Sequence, residues 1–159
     1  MSNEKPTEQE HRLWILLHQT RDAILKIRDN ELSKHGLTAT EFGALHVINI
    51  IGGEATPAMI SKCMLRQHHS VTALLKRMEK KGLISRTKST ERKNTWIISS
   101  TEKGKEAFTR SYIKDSLDSV MSVLTGDEKT ELEEYLKKLR DQAIRYSITE
   151  QVQIPTFPY

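Results

Sequence analysis

The segment 71–94 constrains the fold more than any other part of the sequence. Its first half, VTALLKRMEKKG, has apolar residues at helical spacing, so Val71, Leu74 and Met78 share one face of a helix. Gly82 follows where a helix that ends in a left-handed residue needs a glycine. The second half, LISRTKSTERKN, carries cations and few apolar residues. The segment therefore predicts an amphipathic helix that stops at Gly82 and leads directly into a basic hairpin.

Helix and strand signals around this segment predict a winged helix-turn-helix. Capping boxes, in which a threonine precedes a glutamate by three residues, begin at Thr7, Thr38 and Thr125. Thr56 and Pro57 match a cap followed by a first-turn proline. The expected helices cover about 7–34, 38–51, 57–64, 67–81, 101–124 and 125–143, and the expected strands cover 84–88 and 95–99. We predict a mainly α fold, a winged helix-turn-helix with long N- and C-terminal helices and a two-stranded β-wing.

The basic charge is confined to the middle third of the chain. The net charge is +4, but residues 55–110 carry 13 Lys or Arg against 4 Asp or Glu, and both flanks are net acidic. A localised cationic surplus attracts a polyanion. Polar side chains on the outer face of the helix can address base edges, and hairpin cations suit phosphates or a narrow minor groove. The expected DNA-binding residues are Gln67, His68, His69, Ser70, Thr72, Ala73, Lys76, Arg77, Arg86, Lys88, Arg92 and Lys93.

Composition and motifs argue against several other classes of protein. No apolar run approaches the roughly 18 residues of a membrane span, and the beginning of the chain, MSNEKPTEQEH, lacks a secretory apolar region. The single cysteine, Cys63, fits a reducing cytoplasm. The adjacent His68 and His69 point about 100° apart on a helix, which suits a metal poorly. No glycine-rich phosphate loop or nucleophile elbow indicates an enzyme. We expect a cytoplasmic protein that is not an enzyme and needs no cofactor, metal or membrane.

Three pieces of the sequence resemble the MarR family of bacterial transcription regulators. Residues 71–84 are similar to the recognition helix of the family and to its "LEkkGLI" ending. ERK at 91–93 resembles the tip of its wing, and TEKG at 101–104 resembles the start of its fifth helix. The order and spacing of these pieces extend the resemblance over roughly 7–146. The turn at 64–67 departs from the family pattern, because it lacks the frequent glycine.

The resemblance implies a homodimer in which the first, fifth and sixth helices interlock. Residues 1–36 and 101–159 would then form the dimerisation region, and residues 37–100 would form the DNA-binding domain. A second copy would also complete a core that a chain with 36% hydrophobic residues fills thinly. Two recognition helices about 34 Å apart would read a pseudo-palindromic operator in double-stranded DNA. Since regulators of this family are most often repressors, we expect a repressor.

The resemblance also implies a small aromatic or phenolic effector, bound between the dimerisation helices and the DNA-binding lobe. The candidate effector-binding residues are Trp14, His18, Arg21, His46 and Arg86. In the alternative interpretation, Trp14 belongs to the dimer core and Arg21 to the solvated surface. A different class of function also remains open, a helical protein-interaction module whose basic hairpin binds an acidic protein partner.

Overall fold

The computed structural model describes residues 8–53, 55–91, 93–112 and 115–147. The elements are α1 (Glu8–Ser33), α2 (Ala39–Ile51), α3 (Pro57–Cys63), α4 (His68–Lys80), β1 (Ile84–Lys88), β2 (Trp96–Ser100), α5 (Glu102–Arg110), α6 (Asp115–Met121) and α7 (Gly126–Ser147). Helices α3 and α4 form the helix-turn-helix, and β1 pairs with β2 in an antiparallel wing. The predicted fold class is confirmed.

Two of the predicted capping boxes form as reciprocal hydrogen bonds. The N–H of Glu41 donates to Thr38 Oγ1 at 3.1 Å, and the N–H of Thr38 donates to the Glu41 carboxylate at 3.0 Å. Before α7, the N–H of Glu128 donates to Thr125 Oγ1 at 3.3 Å, and the N–H of Thr125 donates to the Glu128 carboxylate at 2.7 Å. The cap predicted at Thr7 lies outside the described residues.

Helix α4 ends at the predicted glycine. Gly82 has φ +73°, and the N–H of Leu83 donates to the carbonyl of Met78 at 2.9 Å. The N–H of Gly82 donates to the carbonyl of Glu79 at 2.8 Å. This pair of bonds is the Schellman motif, which satisfies carbonyls that the end of the helix leaves unpaired.

The first turn of α5 packs closely against this helix end. Thr101 Oγ1 donates to the carbonyl of Gly82 at 2.6 Å. A Cβ at Gly104 would lie 2.0 Å from the carbonyl oxygen of Leu83, so only glycine fits there. Lys103 Nζ donates to the carbonyl of Lys81 at 2.7 Å. Helix α4 is therefore anchored to α5 through its C-terminal end.

The wing continues the packing of the helix-turn-helix. In its register, Arg86 lies opposite Ile98 and Lys88 lies opposite Trp96. Ile98 is fully buried, and its N–H donates to the carbonyl of Ala55 at 2.7 Å, which ties β2 to the segment before α3. The base of the wing is thus fixed to the lobe that carries α4.

The apolar core lies in the lobe formed by α2, α3, α4 and the wing. Among its fully buried side chains are Leu45, Ile60, Leu75 and Met78. By contrast, α7 has no buried residue among those described, and the two buried residues of α1 lie near its C-terminal end. None of the helices in the described part of the chain is long and apolar enough to span a membrane.

The long helix predicted over about 101–124 is wrong, because α5 and α6 are separate helices. At the end of α5, Ser111 is buried, and its carbonyl accepts a hydrogen bond from Arg28 Nη2 at 3.1 Å. At the start of α6, the N–H of Ser116 donates to the Glu31 carboxylate at 3.1 Å. Two side chains of α1 therefore pair with backbone groups that a continuous helix would have paired internally.

Candidate nucleic-acid interface

Helix α4 has one buried face and one solvent face. Val71, Leu74, Leu75 and Met78 form the buried stripe. The predicted base-reading and phosphate-binding residues of this helix all lie outside that stripe: Gln67, His68, His69, Ser70, Ala73, Lys76 and Arg77 are exposed, and Thr72 is half-buried. The helix is therefore held by its apolar side and leaves its polar side available for contact.

The N-terminal end of α4 has little local capping. Gln67 occupies the N-cap position without a side-chain hydrogen bond, and the first turn carries no acidic residue.

Thr72 Oγ1 donates to the carbonyl of His68 at 3.0 Å, so its hydroxyl proton is already engaged. Its lone pairs can still accept a hydrogen bond, which in a major groove comes from the amino group of adenine or cytosine.

The turn between α3 and α4 lacks glycine but still adopts a left-handed conformation. Leu65 has φ +51°, and 51% of its surface is exposed. Ser61 Oγ donates to the carbonyl of Arg66 at 2.7 Å and closes the turn. The surrounding hydrogen bonds therefore impose a backbone conformation that a leucine disfavours.

The cations of the wing fall into two environments. Lys88 and Lys93 are exposed, as a phosphate contact requires. Arg86 is only 28% exposed, and its Nη2 lies 2.5 Å from the carboxylate of Glu79. Arg92, which the sequence placed at the wing tip, lies outside the described residues.

A cleft of about 590 Å³ separates α4 from the wing. His68, Thr72 and Lys76 line its helix side, and Arg86 and Trp96 line its wing side. When a helix occupies the major groove and a wing the adjacent minor groove, the sugar–phosphate strand between the two grooves passes between those elements. The cleft lies between the corresponding two elements of this chain.

The predicted effector residues lie in three different places. On α1, the rings of Trp14 and His18 are 4.7 Å apart, and Arg21 Nη1 lies 2.8 Å from Asp22 Oδ1; all four side chains are exposed. His46 is half-buried on α2, whereas Arg86 lines the cleft beside the wing. None of the other four predicted residues lines that cleft.

An aromatic cluster joins α2 to the end of α5. The ring centroids of Phe42 and Phe108 are 4.8 Å apart, those of His46 and Phe108 are 6.0 Å apart, and those of Phe108 and Tyr112 are 5.6 Å apart. The Arg28 guanidinium lies 5.3 Å from the centroid of Phe42. Among these residues, only His46 is a predicted site residue. The spacing of Phe42 from His46, and of Phe108 from Tyr112, would have placed each pair on one helix face.

Other chemistry is limited in the described chain. Within residues 8–53, 55–91, 93–112 and 115–147, no group of three or more His, Cys, Asp or Glu is placed to hold a metal ion. Cys63 is 7% exposed, and burial raises the pKa of its thiol. A raised pKa disfavours the thiolate, which is the reactive form.

A family model matches the part of the chain that forms this site. Residues 35–93 match the model described as the MarR family. That match runs from the end of α1 to the tip of the wing.

Relatives extend the similarity to the remaining helices. The HTH-type transcriptional regulator MhqR of Bacillus subtilis is 27% identical over 135 residues, which cover 84% of this chain and 92% of the relative. The organohalide-sensing transcriptional regulator RdhR-CbdbA1625, solved in its 2,4-dichlorophenol-bound form, is 30% identical with a TM-score of 0.87. The match covers 100% of this chain and 98% of that one.

A third match concerns the fold alone. A mutant of MarR from E. coli, solved in complex with operator DNA, is 23% identical with a TM-score of 0.78. The match covers 86% of this chain and 99% of that chain.

Proposed function

This chain belongs to the MarR family of winged helix-turn-helix transcription regulators, and from that premise we propose that it is a homodimeric repressor. It binds a pseudo-palindromic operator in double-stranded DNA, and a small aromatic or phenolic effector releases it. Residues 37–100 form the DNA-binding domain in this proposal, and residues 1–36 and 101–159 form the dimerisation region. The protein acts in the cytoplasm and has no catalytic step.

The observation that carries the proposal is the arrangement of α4 beside a cationic wing. Gln67, Thr72 and Ala73 stand on the solvent side of α4, where a helix in the major groove meets base edges. Lys76 lines the cleft from α4, Lys88 is exposed on the wing, and both attract the strand between the grooves. Phosphate contacts set affinity and register, and base contacts set the choice of site.

The proposed dimer rests on two exposed apolar stripes. Leu13, Leu16 and Leu17 on α1 and Leu136 and Leu139 on α7 are each between 43% and 56% exposed. Contiguous apolar patches of this kind on a soluble chain mark an interaction surface. A second copy that covers both stripes also places the second α4 for a symmetric operator.

The proposed effector is supported by the aromatic cluster and by the dichlorophenol-bound relative. The rings of Phe42, Phe108 and Tyr112 lie where α2 meets α5, and an aromatic ligand can pack edge-to-face against such a cluster. Wedging a ligand between the helical region and the DNA-binding lobe would change the separation of the two recognition helices. Such a ligand can shift DNA binding only by the difference in its affinity for the two dimer shapes.

A mobility-shift and protection experiment tests the proposal. Purified protein is titrated into fragments of the source genome at several salt concentrations, and the preferred fragment is mapped for a protected palindrome. We expect one preferred class of fragment and release of the complex by 2,4-dichlorophenol or a benzoate. Equal binding to every fragment would contradict sequence-specific regulation and favour the interaction-module alternative. Specific binding that none of these compounds releases would contradict the effector alone.

A further inference from the structure

Arg86 is held by two neighbours at once. Its Nη2 lies 2.5 Å from Glu79 Oε2 on α4, and its guanidinium carbon lies 5.4 Å from the centroid of the Trp96 ring on β2. Both distances are short enough for an ion pair and for a cation–π contact. One side chain on β1 therefore links the recognition helix to both strands of the wing.

The Nε donor of Arg86 is enclosed. Its Nε is buried and makes no hydrogen bond with any described residue. A phosphate cannot reach a donor without accessible surface, so Nε is not poised to bind the DNA backbone. The face of Trp96 lies beside it, and an aromatic face is a weak acceptor for an N–H group. The ion pair through Nη2, the ring contact and the enclosed Nε thus all hold the guanidinium against the protein.

We propose that Glu79, Arg86 and Trp96 form a brace that fixes the angle between the recognition helix and the wing. Arg86 is then a positioning residue, which acts through Glu79 and Trp96. The effect of the brace on operator choice rests on the proposed DNA-binding function. The contacts among the three side chains form without DNA. Its effect is on the choice of operator, because helix and wing can engage adjacent grooves together only at one relative angle.

Lys88 provides the contrast that makes this inference testable. Its Nζ lies 5.8 Å from the same Trp96 ring, on the position opposite Trp96 in the register. Lys88 is exposed, so its charge remains available to a phosphate. Two cations against one indole ring therefore have different roles, one structural and one electrostatic.

Glu79→Gln gives opposite results under the two roles of Arg86. The substitution removes a negative charge beside the DNA site, so if Arg86 contacted phosphate, its release from Glu79 would strengthen binding. If the brace sets the wing angle, affinity for the preferred fragment falls about three- to fivefold, the magnitude expected for a partly exposed ion pair. Discrimination against random DNA falls with it, and the salt slope is unchanged because no phosphate contact is lost. Tighter binding by Glu79→Gln would overturn the brace.

Two further variants separate geometry from charge. Arg86→Lys keeps the positive charge but loses the planar fork, so it should weaken specific binding as Glu79→Gln does. Lys88→Gln should weaken binding to specific and random DNA alike and lower the salt slope by about 0.9. Glu102→Gln is the matched charge control, since Glu102 is exposed and paired with Lys105 on α5. It should leave discrimination unchanged, and an equal loss of discrimination in this control would remove the support for a brace.

Fluorescence tests the brace without DNA. The sequence contains two tryptophans, so Trp14→Phe leaves Trp96 as the only one. In that background, both Glu79→Gln and Arg86→Lys should shift the emission of Trp96 and increase its quenching by acrylamide. Unchanged emission and quenching in both variants would show that the contact does not form in solution. If the wild-type protein had no preferred DNA fragment, the proposed function would fail while this measurement still decided the brace.

Discussion

At the scale of the single residue, Leu65 has a backbone conformation that its side chain disfavours. Its φ of +51° costs a non-glycine residue about 1–2 kcal/mol, and its exposed side chain contributes little burial. We expect Leu65→Gly to raise the free energy of unfolding by roughly 0.5–1 kcal/mol, measured by urea denaturation. Leu65→Ala removes most of the side chain but keeps Cβ, so it should give no such gain. An equal gain in both variants would assign the effect to the exposed leucine instead of the backbone.

Glu31 is a second residue whose contribution to the stability of the fold can be measured. The side-chain hydrogen bond from Ser116 holds the pKa of its carboxyl below the ordinary value, with a backbone hydrogen bond from Ser116 and the charge of Arg28 acting the same way against desolvation. Because this pKa is lower in the folded state, the ionised carboxylate stabilises the folded protein at pH values above the unfolded pKa of about 4.3. This stabilisation is lost as the pH falls through the folded pKa.

We therefore expect Glu31→Gln to destabilise the protein by about 1–3 kcal/mol at pH 7. The difference in free energy of unfolding between variant and wild type should become smaller below about pH 4, because protonation of the wild-type carboxyl then removes the same interaction. Urea denaturation at several pH values from 7 to 3.5 measures this difference. Glu133→Gln, which removes an exposed carboxylate paired with Lys137 on α7, is the control. A gap that stayed constant over this range would contradict the role of the charge.

At the scale of the element, boundaries set by local signals could be predicted and boundaries set by distant side chains could not. The box at Thr38 and the stop at Gly82 each depend on residues within a few positions, and both form as the sequence predicts. The interruption after α5 depends on Arg28 and Glu31, more than eighty positions earlier in the chain. The sequence from 101 to 124 has a continuous helical pattern, so no local signal in it predicts the break between α5 and α6.

The same distinction applies to the candidate site. The solvent face of α4 follows from its apolar stripe, because a period of 3.6 residues assigns every position to a side. Alternation along β1 predicts that Arg86 and Lys88 share a face, but not that Arg86 pairs with Glu79 on α4. The aromatic cluster joins Phe42 to Phe108 across two helices, and sequence spacing within one helix cannot show such pairing.

The division of labour within α4 and the wing leads to a paired prediction. Because the Thr72 hydroxyl already donates to the carbonyl of His68, Thr72→Val removes this internal hydrogen bond and, toward DNA, only an acceptor. It should cost about 1–3 kcal/mol at an operator with adenine or cytosine at the contacted position and little on random DNA. Lys93→Gln should weaken binding to both and lower the salt slope by about 0.9. Salt titrations on specific and random duplexes measure the two effects, and identical profiles for the two variants would contradict the division.

Across the whole molecule, the two regions of the chain differ in how much of their apolar surface a single copy buries. The lobe of α2, α3, α4 and the wing has its own buried core and its own ties, such as the contact between Glu41 and Lys81 Nζ at 2.8 Å. The N-terminal half of α1 instead leaves its apolar residues exposed, and α7 has no fully buried residue. This contrast is expected for a lobe that folds on one chain joined to helices that fold onto a partner.

The most direct test of the whole assembly is a charge in the exposed stripe of α7. Leu139 is 56% exposed in one copy, and the proposed dimer buries it twice by symmetry, so Leu139→Glu should leave two unpaired charges in the interface. We expect sedimentation analysis at micromolar concentration to show a monomer, and operator affinity to fall by about 100-fold or more because the second half-site is no longer tethered. Met59→Glu is the matched control, since Met59 is 38% exposed on α3 within the DNA-binding lobe; it should remain dimeric. A wild-type protein that sedimented as a monomer, or a Leu139→Glu protein that remained a dimer with full operator affinity, would place the dimer interface elsewhere or remove it.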